Sequence, residues 1–244
     1  MRRGQAGVTL IEVMVAVTLL SLLSLGMVLA IQIGLAAYSR TVSKLMDNRR
    51  VAGAQRIAQQ ELEGLIPAFV LCGANNGNIG TKAILFQGSG NGLWMVSGFS
   101  LEAGWRGQPR ILQLFTGAGD GGTRLLVNEY PYTGASGAAQ YCADTIIVPG
   151  MVTRLARMIP AGAGGKTFVL ADKLAYCRFS YYTPAAMAND PPTWQSNWAA
   201  KGWPLAVRIE MAPAEAGPST LHPITVTAPL HIRRDPDKDY TDGR

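Results

Sequence analysis

The chain has 244 residues, of which 48% are hydrophobic, 8% aromatic and only 16% charged, with a formal net charge of +6. A soluble globular protein carries about 25% charged residues, so the deficit excludes an evenly charged surface along the whole chain. The basic residues are scattered, with no lysine and arginine run interleaved with aromatics, which leaves a nucleic-acid-binding reading without support. The length allows one domain with an added element, or two small domains.

Arg2 and Arg3 open the chain, and no charged residue occurs between Glu12 and Arg40. Val13–Ala37 is nearly all apolar, with Thr18, Ser21, Ser24 and Gln32 as mild interruptions. A membrane-spanning helix needs about 20 such residues. Arg40, Lys44, Arg49 and Arg50 follow the run, so counting positive charges on its two sides does not orient it. A short basic stretch ahead of a first apolar segment resembles an export signal. No small-x-small cleavage site closes the run, so the segment is expected to stay attached, with everything from Arg40 onward outside the cytoplasm. A carboxylate at the centre of a span costs roughly 2.5–3.5 kcal/mol on insertion scales. Glu12, at the edge of the run, is therefore a candidate functional residue.

The helix is expected to continue beyond the span. Leu62, Leu65, Ile66 and Phe69 fit i, i+3, i+4 and i+7 spacing, while Gly64 and Pro67 are stop signals that place its end near Leu65. The apolar stripe needs a partner, most simply a β-sheet. Gly26 and Gly34 either bend the helix or allow another helix to approach closely.

After Pro67 the character changes. Cys72–Thr81 (CGANNGNIGT) reads as a loop. Short apolar runs then alternate with glycine-rich turns: Ala83–Gln87, Leu93–Phe99, Arg110–Phe115, Arg124–Tyr130, Thr145–Val148, Thr167–Ala171, Ala175–Tyr182, Leu205–Met211 and Ile224–Ile232. In LAVRIEM, Leu205, Val207, Ile209 and Met211 share one face and Arg208 and Glu210 the other. The pattern predicts an α+β fold, with an antiparallel β domain packed on the helix.

Cys72, Cys142 and Cys177 allow one disulfide in an oxidising compartment, with one thiol left over. Three pairings are open. Cys142–Cys177 is preferred, because each follows a tyrosine in a β-like segment; the alternative is three buried small hydrophobes. GAGGKT at 162–167 resembles the end of a phosphate-binding loop, but Pro160 stands where a glycine is needed, and a glycine turn before a strand is the better reading. DPDKDYTDG at 235–243 has alternating aspartates, yet Tyr240 takes the glycine position and the distal glutamate is missing, which favours a solvated tail. His222 and His231 with three scattered cysteines make no zinc spacing. Trp194, Trp198 and Trp203 read as core and loop anchors in preference to a sugar- or partner-binding surface. No enzyme activity, metal or cofactor is expected.

The start of the chain carries a resemblance. Gly7 is followed by Val8, Thr9, Leu10, Ile11, Glu12 and the apolar run. This resembles the class III signal of type IV pilins and type II secretion pseudopilins. The resemblance implies a leader Met1–Gly7, cleavage between Gly7 and Val8 by a prepilin peptidase, and N-methylation of Val8. Val8 departs from the family's usual Phe at that place. Glu12 becomes the fifth mature residue and, by the same resemblance, meets the new amine of a neighbouring subunit. Further on, Leu174–Tyr182 (LAYCRFSYY), a loop with Trp194 and Trp198, and WPLAVRIEM resemble the J-type minor pseudopilins and, more loosely, the W-type minor pilins. Residues 70–170 match nothing.

The resemblance implies a pilin-like layout: leader 1–7, transmembrane and assembly helix 8–39, amphipathic continuation 40–66, periplasmic antiparallel β domain 67–234 and tail 235–244. It also implies a single-pass inner-membrane protein with a cytoplasmic N-terminus. Its partners would be the prepilin peptidase, other pilin-like subunits, the inner-membrane assembly platform and inner-membrane lipid, with no nucleic acid. The expected function is that of a tip-associated subunit of type II secretion. The alternatives are a minor pilin of a type IV pilus, for priming, adhesion or DNA uptake, and a membrane-anchored β-domain binding protein unrelated to filaments.

Overall fold

The computed structural model describes residues 9–73, 80–102, 104–147, 149–150, 152, 154–160, 167–183, 191–198, 202–214 and 223–232. The chain divides into two compact units, Met1–Asp47 and Asn48–Arg244. Helix α1 (Leu10–Glu63) begins in the first and ends in the second. No proline precedes Pro67, so nothing removes a backbone donor from the helix. α1 runs through Gly26 and Gly34 without interruption, and a Cβ at either would meet nothing within 4 Å.

α1 is followed by β1 (Phe69–Cys72), β2 (Thr81–Ile84), β3 (Gln87–Ser89), β4 (Gly92–Ser100), β5 (Trp105–Gly119) and β6 (Gly122–Pro131). A 3-10 turn (Gly137–Tyr141) leads to β7 (Cys142–Ile146), β8 (Arg154–Met158), β9 (Thr167–Thr183), β10 (Thr193–Gln195), β11 (Ala206–Pro213) and β12 (Ile224–Pro229). The large sheet has the order β12-β11-β9-β6-β5-β4-β3, with β10 also on β9, and all its pairs are antiparallel. The small sheet has the order β1-β2-β8-β7, and its central β2–β8 pair is parallel. The α+β layout expected from the sequence is therefore present, with one parallel pair inside it.

The helix ends two residues before Leu65. Leu62 lies in α1, Leu65 bridges Ser97, the Ile66 amide donates to the Val96 carbonyl at 2.8 Å, and Phe69 starts β1. The buried stripe of the helix is instead Ala54, Ala58 and Leu62. Gly64 permits the close approach of the helix end to β4, since a Cβ there would lie 2.5 Å from Phe99 Cδ2 and 2.9 Å from Ser97 Oγ. β9 joins two of the expected strands. Asp172 and Lys173 form no turn; Lys173 adopts φ 53°, and the register with β6 shifts there. The bulge lets β9 pair with β6 before it and β11 after it.

Two cores result. The main one joins the helix stripe to Met95, Leu112, Leu114, Val127, Phe179 and Ile209. The second packs Val70, Ala83 and Met158 of the small sheet against Trp94, Val96 and Ile111 of the large one. Trp198 and Trp203 are buried in the main core.

The preferred Cys142–Cys177 pairing is corrected. Cys72 and Cys142 form the disulfide, with Cα atoms 5.4 Å apart, and Cys177 is a buried free thiol. Cys72 ends β1 and Cys142 begins β7, the two edge strands of the small sheet. Cys177 belongs to the large sheet, opposite Met211, and faces the main core. The shared Tyr-Cys pattern placed the two cysteines in different sheets.

Candidate functional site: the N-terminal segment and the helix it opens

The first turn of α1 starts at Thr9, whose carbonyl accepts from the Glu12 amide at 3.1 Å and from the Val13 amide at 3.3 Å. Glu12 thus sits in the first turn. There a negative charge faces the positive end of the helix macrodipole, worth about 0.3–1 kcal/mol at an exposed site. Thr9-Leu10-Ile11-Glu12 also has the Thr-x-x-Glu spacing of a capping box. Helix initiation is therefore a second physical reason for a carboxylate at the border of the apolar run. Among the described residues no side chain forms an ion pair with exposed Glu12. Gly7 and Val8 lie outside the described residues.

Beyond Glu12 the helix presents apolar side chains all round. Leu10–Ser43 is long and apolar enough to cross a membrane, and none of it is buried by the protein. Leu10, Leu23, Met27 and Ile33 are each more than two-thirds exposed. Five hydroxyl groups in this stretch are satisfied by the helix's own carbonyls. Thr18 donates to the Val15 carbonyl at 2.9 Å, Ser21 to Val17 at 2.8 Å and Ser24 to Leu20 at 2.8 Å, with Ser39 and Thr41 bonding in the same manner. In a hydrocarbon layer an unsatisfied donor costs several kcal/mol. These side chains can enter lipid or a helix–helix contact without that cost.

A second polar constellation lies where α1 meets the large sheet. Glu61 is only 2% exposed, and its Oε2 has no hydrogen-bond partner. Burial pushes its carboxyl up to about 7, Ser97 partly offsets this, and the Glu129 charge adds to it. Glu129 is itself well held. It accepts from Ser100 Oγ at 2.6 Å and from the Leu101 and Glu102 amides at 2.9 and 3.1 Å, and its Oε1 is 3.3 Å from Arg110 Nε. Sequence reading passed over Glu61. The available signal was its place seven residues after Ala54, on the side of the helix that turns inward.

Of the other motifs, residues 162–166 of GAGGKT, the Asp235–Gly243 segment and His222 lie outside the described residues. Thr167 opens β9 and donates its hydroxyl to Asn128 Oδ1 at 2.7 Å. His231 is exposed. No three His, Cys, Asp or Glu side chains converge among the described residues.

A family model described as the prokaryotic N-terminal methylation motif matches residues 2–28. A comparison with curated proteins finds no match to the chain. The matched stretch holds Gly7, Val8, Glu12 and the first half of the apolar run. This motif supports a type IV pilin-like or pseudopilin subunit, one whose signal implies processing by a prepilin peptidase and assembly with other pilin subunits.

Proposed function

We propose that this chain is a prepilin-peptidase-processed minor pilin-like subunit of a type IV filament machine, serving as a tip-associated pseudopilin of type II secretion. The observation that carries the reading is the methylation motif at residues 2–28 running directly into an exposed apolar helix. In this reading residues 1–7 are the leader, the cut falls between Gly7 and Val8, and Val8 is N-methylated. Residues 8–39 hold the subunit in the inner membrane, with the N-terminus cytoplasmic. Residues 40–63 continue the helix, 64–66 link it to residues 67–234, the periplasmic domain, and 235–244 are a tail.

Glu12 gives the proposed assembly contact its chemistry. Cleavage creates a charged amine at Val8 and leaves Glu12 as an acid without an ion-pair partner among the described residues. Two opposite charges in an apolar layer are each costly alone and attract strongly together. An incoming subunit is therefore favoured in the register that joins its amine to a neighbour's Glu12.

The J-type subtype draws support from the run of β9, the Trp194–Trp198 loop and β11, in which the two long strands pair from Leu174 to Tyr182. The tip position draws support from bulk: a domain with two sheets would crowd a helical shaft. Mass spectrometry of the protein recovered from membranes tests the core reading. The expected mature N-terminus is N-methyl-Val8. An intact Met1, or cleavage after the apolar run, overturns it. Cryo-electron microscopy showing the protein repeated along a shaft overturns the tip position alone.

A further inference from the structure

The outward side of β9, β10 and β11 carries an arrangement that packing alone does not require. Trp194 pairs across strands with Tyr182, their ring centroids 5.0 Å apart. Arg208, on β11, lies opposite Ser180 of β9. Its guanidinium carbon is 3.8 Å from the centroid of the Trp194 ring, beyond β9. The small Ser180 side chain leaves room for this crossing. Arg178, on the same face, lies 5.2 Å over the ring of Tyr176. Glu210 is the cross-strand partner of Arg178, yet among the described residues neither arginine forms an ion pair. Arg208 Nε is shielded from solvent and has no hydrogen-bond partner.

We propose that this shelf is a docking site for a carboxylate-bearing peptide segment of a partner protein. Stacking on the rings fixes both guanidinium groups in advance, so less side-chain freedom is lost when a partner arrives. Their planar forks match a carboxylate in two-point hydrogen bonding. Arginine and tryptophan are also the residue types that dominate binding energy at protein interfaces. Glu210 selects between classes of anion. Set among the arginines, it repels a continuous phosphate backbone, but it accepts a hydrogen bond from a peptide N–H or a basic side chain. Exposed Thr225 and Thr227 flank the shelf on β12 and add neutral donors and acceptors. The combination fits a peptide of mixed polarity with an acidic residue at its centre, and it holds whichever filament machine the subunit serves.

The test uses the full chain in non-ionic detergent and three fluorescein-labelled probes. These are a decapeptide alternating aspartate and serine, the same peptide with asparagine for aspartate, and decathymidylate. Fluorescence anisotropy is expected to show the acidic peptide binding at least about tenfold more tightly than the amide peptide. Arg208→Gln and Arg178→Gln should each weaken it by about tenfold, and Arg208→Lys, which keeps the charge but loses the planar stack, by several-fold. Equal binding of the two peptides, binding of neither, tighter binding of decathymidylate, or retention of binding by the double Arg178→Gln/Arg208→Gln variant overturns the proposal. The three-probe comparison uses the unaltered chain, so it decides the matter even if a variant unfolds.

Discussion

The Ser97 hydroxyl donates to the backbone carbonyl of Glu61 at 3.3 Å, fastening the last turns of α1 to β4. The helix carries a buried acid at that point. Ser97 of β4 is hydrogen-bonded to it and the Glu129 charge of β6 acts on it, while Arg110 of β5 is committed to Glu129.

Burial holds the Glu61 carboxyl at about 7 in the folded chain, against an ordinary 4.5. A raised acid favours the folded state while protonated. Its contribution is complete below the unfolded value and is lost as pH rises through about 7. Glu61→Gln keeps the shape without the charge. It should leave stability unchanged in acid and raise it by up to about 3 kcal/mol above neutrality. Denaturant unfolding across this pH range checks it, and parallel curves for the two proteins would contradict the assignment.

The Cys72–Cys142 bridge closes a segment with a sequence separation of 70. By loop entropy such a link stabilises the fold by about 4 kcal/mol. Cys72→Ser should lose most of that and free Cys142 for alkylation. In the unaltered protein Cys177, its thiol pushed up to about 12 by burial, should react only after unfolding. Rapid thiol labelling of the native protein at Cys177 would contradict this.

Gly64→Ala places a methyl group against Phe99 and Ser97. Overpacking of this kind costs about 1–3 kcal/mol. The same substitution at Gly53, where an added Cβ meets nothing within 4 Å, should stabilise by up to about 1 kcal/mol through helix propensity. Thermal melts of the pair separate packing from propensity, and equal shifts would rule out the close approach at Gly64.

Glu12→Ala tests the proposed assembly contact. The substitution removes an insertion cost of roughly 2.5–3.5 kcal/mol at most, so poor membrane entry would not explain a defect. Cleavage after Gly7, read by mass spectrometry, should persist, while the sheared-filament fraction loses the protein. Normal incorporation would remove the role given to Glu12.

How much was legible depended on how local each signal was. The methylation motif and the apolar run are contiguous, so both could be read without the fold. β11 could be read because its two faces differ; Val207, Ile209 and Met211 are buried, while Leu205, 47% exposed, falls just outside the strand. β1 was hidden because Phe69 continued a helical spacing that Gly64 and Pro67 had already ended. Ala83–Gln87 looked like one strand but crosses from the small sheet to the large at Leu85 and Phe86. β8 was missed because RLARM has no β-branched residue, and β10 because it is three residues long. The neighbours of Glu61 and the Arg208–Trp194 stack arise from packing between separate elements, which no local pattern spells out.

The edge-to-edge bridge of the small sheet also decides how tension travels. A pull along α1 enters the β domain through Gly64 and reaches Cys72 at the end of β1. There the covalent path branches across sulfur to Cys142. When the chain is held by anything beyond Cys142, the load bypasses residues 73–141 and leaves β2 through β6 off the taut line. Those strands, with much of both cores, stay slack while the helix is drawn, and the domain can be hauled by its N-terminus without being unravelled from it.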